Sequence, residues 1–266
     1  MDDIVVIRGG GDIATGIGHR LYKAGFNIII LDVEMPLAIR RAVSFCEAIY
    51  SGETTVEGLK AIYCSDIDSS MRTIYEGNIP VLIDERGDSI RTIKPIAVVD
   101  SILAKRNIGT YKSMAPITIG IGPGFNAGVD VDLIVESNRG HNLGKVIYQG
   151  QAEENSGIPG DIMGYRQERI IRSIESGYIE WLIYIGDMVK KDEVIGIISK
   201  SQIKANISGV IRGLIKDGIF VEKGLKIGDI DPRGQYVNAI TISDKARAIG
   251  GGVLEGIMYL KNRKIT

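Results

Sequence analysis

Residues 5–16, "VVIRGGGDIATG", decide the fold class of the first part of this chain. An apolar, β-prone run leads into three glycines, and an apolar residue at every fourth position from Ile13 to Leu21 predicts the buried face of a helix. A second apolar run, "FNIIILD", follows within about 30 residues, which is typical of a β-α-β unit with parallel strands. Further apolar runs continue the pattern. The sequence therefore predicts an α/β fold with a Rossmann-like open sheet over residues 1–170.

The glycines also match a dinucleotide-binding fingerprint. Gly9, Gly11 and Ala14 have the GxGxx(G/A) spacing between a strand and a helix. Asp32 ends the second strand, 23 residues after Gly9, where such folds place the carboxylate that holds a ribose. Glycines let backbone N–H groups approach an anion, and the helix dipole favours negative charge there. These residues predict a cofactor site for a nucleotide or a pterin phosphate.

Arg8 and Asp12 leave the ligand of this turn open. Asp12 lies in the first helical turn, where its carboxylate can take the place of a phosphate, or hold a metal ion or a ribose. Arg8 stands where ordinary dinucleotide-binding turns carry an apolar residue, and it can neutralise Asp12 or reach a ligand phosphate. The alternative is a scaffold of the same shape, with an internal Arg8–Asp12 pair and no cofactor.

Composition and charge exclude several classes of protein. The 266 residues carry a net charge of −1, so we expect no surface for nucleic acid or an anionic membrane. With only two cysteines and two histidines, we expect neither a disulfide framework nor a metal site built from cysteine or histidine. The sequence does not identify a metal ligand set of another kind. The acidic start and the lack of an apolar run approaching about 18 residues predict a cytoplasmic protein that does not span a membrane.

Residues 175–232 differ in character from the first part. They consist of short β-rich runs and glycine turns, and a shift of 32 residues lays Gly186 on Gly218. Neither half of this repeat can bury its apolar face alone, so we expect the halves to pack together as a small β sandwich or barrel. Residues 233–266 return to a helical pattern, whose broad apolar surface predicts a helix packed back on the first domain.

Several runs together are similar to one family, the YqeB family. They are "IRGGGDIATG", "PLAIRRAVSFCEAIYSGETTVEG", "IGPGFNAGVDVDLIVESNRGHNLGKVIYQG", "NSGIPGDIMGY", "VIRGLIKDGIFVEKGLKIGDIDPRG" and "ISDKARAIGGGVLEGI". The family consists of accessory proteins of the selenium-dependent molybdenum hydroxylase system. The first part also resembles the Rossmann domain of xanthine dehydrogenase accessory proteins, which bind the molybdenum cofactor and insert it into a hydroxylase.

The resemblance implies a cytoplasmic maturation factor. Its candidate ligand is a molybdopterin-type cofactor or a nucleotide, and its partners are the molybdenum hydroxylase apoprotein and other maturation proteins. The family brings no defined reaction, so whether the chain is an enzyme stays open, as does a homo-oligomeric state.

The β repeat resembles a biotinyl/lipoyl barrel-sandwich hybrid. In that carrier fold the modified lysine lies at the tip of a hairpin. The corresponding link here, "IISKSQIKA", is shorter, and Lys200 lacks the flanking methionines of a biotin acceptor. We therefore expect a docking or lid module without covalent modification.

Two loops that follow apolar runs supply further candidates. In "NRGHNLGKVIYQG", Arg139 is suited to grip a phosphate, and His141 either shuttles a proton or only hydrogen-bonds loop backbone. In "IGPGFNAGVD", Gly122 and Gly124 either let backbone approach a pterin or phosphate or form a plain tight connection.

Polar residues flank the C-terminal helix. Asp231 is a candidate catalytic group or metal ligand, or a partner of Arg233 in a clip between domains. Lys245 and Arg247 oppose the helix dipole, which indicates an anionic partner or a solvated surface; Lys245 is a catalytic candidate and Arg247 a cofactor ligand. Gly250–Gly252 cost the helix about 2–3 kcal/mol relative to alanine, which close packing or a bound ligand must offset.

Two classes of function follow from these observations. The first is a maturation enzyme or chaperone that holds the pterin cofactor, or a nucleotide, for modification or insertion. The second is a non-catalytic nucleotide-binding regulator or assembly scaffold. Asp12 and the lack of a recognisable acid–base pair disfavour an NAD-dependent dehydrogenase.

Overall fold

The computed structural model describes residues 3–155, 157 and 159–264. The chain forms two compact units. Unit 1 comprises Met1–Pro36, Ser44–Ser156 and Ile242–Thr266, and unit 2 comprises Leu37–Val43 and Gly157–Thr241. Residues 37–43, 157–170 and 233–241 are therefore part of unit 2.

Unit 1 is built on a nine-stranded mixed sheet. Its strands are β1 Ile4–Arg8, β2 Asn27–Asp32, β3 Glu53–Val56, β4 Leu59–Cys64, β5 Ile79–Ile83, β6 Ala97–Asp100, β7 Ile117–Ile121, β8 Leu133–Val135 and β9 Val146–Ile147. The order is β3-β4-β5-β2-β1-β6-β7-β8-β9, and only β3 and β9 at the two edges run antiparallel to their neighbours. The α/β class predicted from the sequence is confirmed.

The strand order fixes where a ligand site can form. From β5 to β8 the strands follow the 3-2-1-4-5-6 order of doubly wound sheets, with β4 and β3 added at one edge and β9 at the other. The order reverses between β1 and β6, and in such sheets ligands bind beyond the carboxyl ends of the strands at this reversal. The glycine turn after β1 lies at that point.

Six helices accompany the strands in the described residues. They are α1 Asp12–Lys23, α2 Glu47–Ser51, α3 Ile67–Tyr75, α4 Ile90–Ile93, α5 Val237–Ile240 and α6 Asp244–Lys264, with 3₁₀ turns at Arg41–Val43 and Lys112–Met114. Among these, none is long and apolar enough to cross a membrane.

Helices α1 and α6 pack against each other through small residues. A Cβ atom on Gly16 would lie 2.6 Å from Cβ of Ala246, and one on Gly250 would lie 2.9 Å from the carbonyl oxygen of Gly16. Gly252 meets the carbonyl of Gly144 in the same way. Close packing therefore accounts for Gly250 and Gly252 in the C-terminal helix. It does not account for Gly251, whose Cβ position faces open space.

The opposite face of the sheet is covered differently. Gly18 of α1 faces Ile7 of β1 and Ile28 of β2 on one face of the sheet. Val6, which precedes Ile7 in β1, points to the other face and packs with Ile90 and Ile93 of α4. Helix α3 and the 3₁₀ turn at Lys112–Met114 complete this second layer. The sheet of unit 1 thus has helical cover on both faces.

Unit 2 contains two antiparallel four-stranded sheets around one core. Its strands are β10 Ile170–Arg172, β11 Gly177–Trp181, β12 Met188–Val189, β13 Val194–Ile198, β14 Ser201–Lys204, β15 Gly209–Leu214, β16 Phe220–Val221 and β17 Lys226–Asp231. The sheets have the orders β10-β17-β15-β12 and β14-β13-β11-β16.

The 32-residue repeat of the sequence is visible in this pairing. The first half places β11 and β13 in one sheet and β12 in the other, where β12 pairs with β15 of the second half. The second half has the opposite arrangement: β15 and β17 lie together in the other sheet, and β16 pairs with β11 of the first half. Buried isoleucines of both sheets, including Ile198 and Ile230, share one core. Each half therefore completes the sheet of the other.

Candidate functional site

The glycine turn begins at a position that only glycine can occupy. Gly9 has φ +89°, and a Cβ atom there would lie 2.9 Å from the carbonyl oxygen of Ser101. Its N–H donates to the carbonyl of Leu31 at 2.7 Å. Positive φ and close backbone contact both exclude a side chain. This position brings the end of β1 close to the segment that follows β6.

The carboxylate of Asp32 accepts a hydrogen bond from the backbone of the glycine turn. Its Oδ2 accepts the N–H of Gly10 at 2.7 Å, and its Oδ1 accepts the N–H of Val33 at 2.8 Å. Burial raises the pKa of this carboxyl above its usual range, although both N–H bonds and Cys46 act against the rise. One oxygen is therefore already occupied at the glycine turn, and the expected contact with a ribose stays a prediction.

Gly11 leaves the start of α1 open. It is the N-cap residue in an extended conformation, it has no side-chain cap, and apart from its chain neighbours no residue has an atom within 4 Å of where its Cβ would be. The first N–H groups of a helix lack backbone partners and favour an anion. Asp12 supplies negative charge in this first turn. The turn can therefore receive a negatively charged group beside Gly11.

Arg8 has an internal role. It is 2% exposed; Nη1 donates to Oγ1 of Thr110 at 2.5 Å and Nη2 to the carbonyl of Glu85 at 3.0 Å. Nη1 also lies 3.8 Å from Oδ2 of Asp100, which accepts the Thr110 hydroxyl at 2.6 Å. The aspartate beside Arg8 is therefore Asp100, rather than the Asp12 considered from the sequence. The buried cation and anion are both fixed in place.

The loop after β8 is held by carboxylates. The buried Glu136 accepts the N–H groups of Asn138 and Glu153, each at 2.7 Å. Arg139 on this loop donates two hydrogen bonds, of 2.7 and 3.0 Å, to the carboxylate of Asp244 at the start of α6. His141 lies exposed on the same loop. Arg139 thus joins this loop to the C-terminal helix.

Lys245 lies among charges of both signs. Burial, and after it the charge of Arg139, lowers the pKa of its ammonium, while the carboxylates of Asp12, Glu136 and Asp244 oppose the change. Lys245 and Asp12 belong to the first turns of α6 and α1, which pack together. The structure therefore brings the candidates Asp12, Arg139 and Lys245 to one region of unit 1.

Arg247 lies near two residues, Glu57 and His19, that were not predicted from the sequence to belong to a site. Its Nη2 lies 2.7 and 2.8 Å from the two carboxylate oxygens of Glu57, which also accepts the N–H of Ile242. The imidazole of His19 lies 3.9 Å from the same carboxylate, and burial lowers its pKa. Glu57 has φ +46° in the turn between β3 and β4. The dipeptide "EG" indicates a turn there, and it is the local sequence feature that could have drawn attention to Glu57.

Gly122 and Gly124 are needed for packing within their loop. Both have positive φ, of +72° and +112°. A Cβ atom on Gly122 would clash with the hydroxyl of Ser137, and one on Gly124 would lie 2.7 Å from the backbone of Arg106. The protein itself occupies the space beside these glycines.

Asp231 lies in unit 2 and is fully buried. Its carboxylate accepts hydrogen bonds from Nε and Nη2 of Arg233 at 2.9 and 2.6 Å. Burial acts to raise the pKa of Asp231, but the hydrogen bonds and charge of Arg233 and the charge of Arg212 together lower it below its usual value. The pairing with Arg233 considered from the sequence is present.

The described residues contain no group of three or more histidine, cysteine, aspartate or glutamate side chains that could hold a metal ion. Near the glycine turn the structure places the first backbone N–H groups of α1, the carboxylate of Asp12 and the charges around Lys245.

Comparisons with known proteins give one strong likeness. No family model matches the chain. The Escherichia coli (strain K12) protein named "Uncharacterized protein YqeB" is 49% identical over 262 residues, which are 98% of this chain and 48% of that protein. The chain spans about half the length of this curated relative.

Likeness to solved structures is weak. An aspartoacylase family protein from Mesorhizobium loti is 10% identical, with a TM-score of 0.27 over 86% of this chain and 84% of that one. The ectoine utilization protein EutE from Ruegeria pomeroyi is 8% identical, with a TM-score of 0.26 over 86% of each chain. Such low TM-scores carry no argument. The sequence identity over nearly the whole chain therefore supports the YqeB family as the one to which this protein is similar.

Proposed function

We propose that this protein is an accessory factor of the selenium-dependent molybdenum hydroxylase system, which binds a nucleotide or a molybdenum-pterin cofactor for modification or insertion. The molybdenum and selenium role rests on the family resemblance of the sequence. The binding role rests on the open, uncapped start of α1 at Gly11, at the point where the strand order reverses. Its partners would be the hydroxylase apoprotein and other maturation proteins.

The phosphate of the ligand would lie against the first N–H groups of α1. Gly11 leaves room for this approach, and the helix dipole favours the negative charge. Asp12 opposes a second anion, and the ammonium of Lys245 near it offsets that repulsion. The phosphate therefore meets a backbone site whose side chains are close to charge balance.

Ligand-dependent melting tests this binding site. A ligand that binds only the folded protein raises the melting temperature with concentration. We expect ATP, NAD or molybdopterin to raise the melting temperature of the wild type more than that of Gly11→Val, whose side chain would fill the open space. Gly251→Val is the matched control, because Gly251 also has no atom within 4 Å of its Cβ position. No stabilisation by any of these ligands, or equal stabilisation of Gly11→Val, contradicts the proposal.

Recovery from cells tests the molybdenum and selenium role. The full chain and Gly11→Val are purified from cells supplied with molybdenum and selenium, and mass spectrometry and elemental analysis identify what accompanies each. We expect a pterin or molybdenum with the wild type alone. Equal, background levels in both preparations contradict the role in cofactor maturation.

A non-catalytic binding role is favoured by one observation. Asp231, one of the catalytic candidates, is fully buried and held in an ion pair with Arg233. If the ligand is recovered chemically unchanged after incubation with the protein and its partner, the regulator or scaffold alternative is supported over an enzyme.

We also propose that unit 2 is a barrel-sandwich hybrid used for docking. The exchange of β12 and β16 between its two sheets supports this architecture. Lys200 lies exposed in the two-residue turn between β13 and β14. The intact mass of protein recovered from cells should show no biotin or lipoate on Lys200.

A further inference from the structure

A second candidate binding region lies on the sheet face away from α1. It is a groove of about 960 Å³ in unit 1, between α4 with its flanking residues and residues 109–116. In doubly wound folds a helix covers the sheet between neighbouring strands. The connection from β6 to β7 has only the 3₁₀ turn at Lys112–Met114, which leaves this groove open beside α4.

The groove is strongly basic on one side. Arg86, Arg91 and Lys94 line it and are exposed, and Asp88 is the carboxylate among its lining residues. Between residues 3 and 264, apart from the positions that the structure does not describe, no hydrogen bond or ion pair engages these three cations. The three charges are therefore available to an anion.

The loop that carries Arg86 is fixed by Asp84. The carboxylate of Asp84 accepts the N–H groups of Gly87, Asp88 and Ser89 at 2.8–3.0 Å. At the other end of α4, Lys94 has φ +50°, a left-handed conformation that is costly for a residue with a side chain. Strain of this kind persists where the surroundings fix the backbone, so both ends of this wall are held.

Arg8 joins the two walls of the groove. One guanidinium nitrogen holds the carbonyl of Glu85, next to Arg86, and the other holds the hydroxyl of Thr110, next to Tyr111. Asn107 fixes the second wall further, because its side chain bonds the N–H and the carbonyl of Thr110. The buried arginine before the glycine turn therefore pre-organises a groove on the sheet face, and pre-organised sites lose less entropy on binding.

The geometry points to this groove as a site for a phosphate-bearing small molecule with a flat aromatic ring. Guanidinium groups bind phosphates through paired N–H donors, which suits Arg86 and Arg91. The facing wall offers Tyr111, which is 55% exposed, and Met114, both of which can pack against a ring. The volume lies within the range of about 300–1,000 Å³ usual for small-molecule sites. This site is additional to the glycine turn.

Calorimetric titration of the full chain tests the assignment. The titrants are ADP, pyrophosphate and adenosine, and all proteins carry Gly11→Val, so that the glycine turn does not contribute. We expect ADP to bind more tightly than pyrophosphate and adenosine to bind weakest. The double variant Arg86→Gln, Arg91→Gln should weaken ADP and pyrophosphate about tenfold or more. Tyr111→Ala should weaken ADP but leave pyrophosphate unchanged.

Arg72→Gln is the matched control, because Arg72 is exposed on α3 and does not line the groove. Circular dichroism spectra confirm that each variant is folded. Absence of ADP binding, or an equal loss of ADP affinity in Arg72→Gln, overturns the assignment. Failure of the glycine turn would appear separately, as ADP binding that Gly11→Val does not change in an otherwise wild-type chain.

Discussion

At the scale of single residues, Asp84 shows how one carboxylate organises a loop. It follows β5 directly and accepts four hydrogen bonds, from three N–H groups and the hydroxyl of Ser89. Burial acts to raise the pKa of Asp84, but the bonds favour the charged form more strongly, so the pKa lies below its usual value. The charged carboxylate therefore stabilises the folded state.

We expect Asp84→Asn to destabilise the protein by about 1–3 kcal/mol at neutral pH, since one amide oxygen cannot replace two carboxylate oxygens. A pKa that is lower in the folded state gives stability that is complete above the unfolded value of about 4 and is lost as the pH falls through the folded value. The difference between wild type and Asp84→Asn should therefore narrow below about pH 4. Urea unfolding at pH 7, 5 and 3 measures it.

Asp88→Asn is the control, because Asp88 is exposed in the same loop. It should differ from wild type by less than about 0.5 kcal/mol at each pH. A constant deficit of Asp84→Asn at every pH would show that the charge of this carboxylate does not matter.

At the scale of elements, the packing of α1 on α6 depends on particular glycines. Gly250 faces the backbone of Gly16 at a distance that leaves no room for a methyl group, whereas Gly251, the next residue, faces open space. The same substitution at the two positions therefore has opposite physical effects. At Gly250 it overpacks a helix contact, and at Gly251 it only improves helix propensity.

We expect Gly250→Ala to destabilise the protein by about 1–3 kcal/mol despite its better helix propensity. Gly251→Ala should stabilise it by up to about 1 kcal/mol. Thermal and urea unfolding of the two variants against wild type provide the measurement. If both alanines stabilise the protein equally, the close approach of α1 and α6 is not present in solution.

At the scale of the whole molecule, unit 1 is assembled from three segments of the chain. The last segment contributes α6, whose side chains Ala246, Ile249, Val253 and Ile257 are completely buried. Each fully buried valine or isoleucine contributes about 1.5–3 kcal/mol. The net stability of a domain is only about 5–15 kcal/mol, so α6 is a necessary part of unit 1.

A chain that ends at Thr241 should therefore lose the cooperative folding of unit 1 and bind a hydrophobic dye. Circular dichroism melting and dye fluorescence measure both effects. A chain that ends at Asn262, which keeps the buried residues Ala246, Ile249, Val253 and Ile257 of α6, should melt close to the full-length protein. Unchanged melting of the shorter chain would mean that unit 1 is stable without α6.

The sequence by itself determined the local features of this protein. The glycine spacing and the apolar periods around it predicted β1, α1 and β2, because backbone conformation and the burial of one helix face depend on nearby residues. The 32-residue shift likewise predicted a β-rich repeat, whose strands the structure describes in unit 2. Close packing was one of two explanations offered for the glycines of α6, and it holds for Gly250 and Gly252.

Only the tertiary structure decided which polar and charged side chains meet. Arg8 and Thr110 are 102 residues apart, and Arg247 and Glu57 are 190 residues apart, so no local pattern connects them. The groove beside α4 is likewise formed by two segments that are adjacent only in the folded sheet. Ion pairs and cavities depend on distances across the fold, which residue spacing does not encode, whereas turns and helix faces depend on backbone geometry within a few residues.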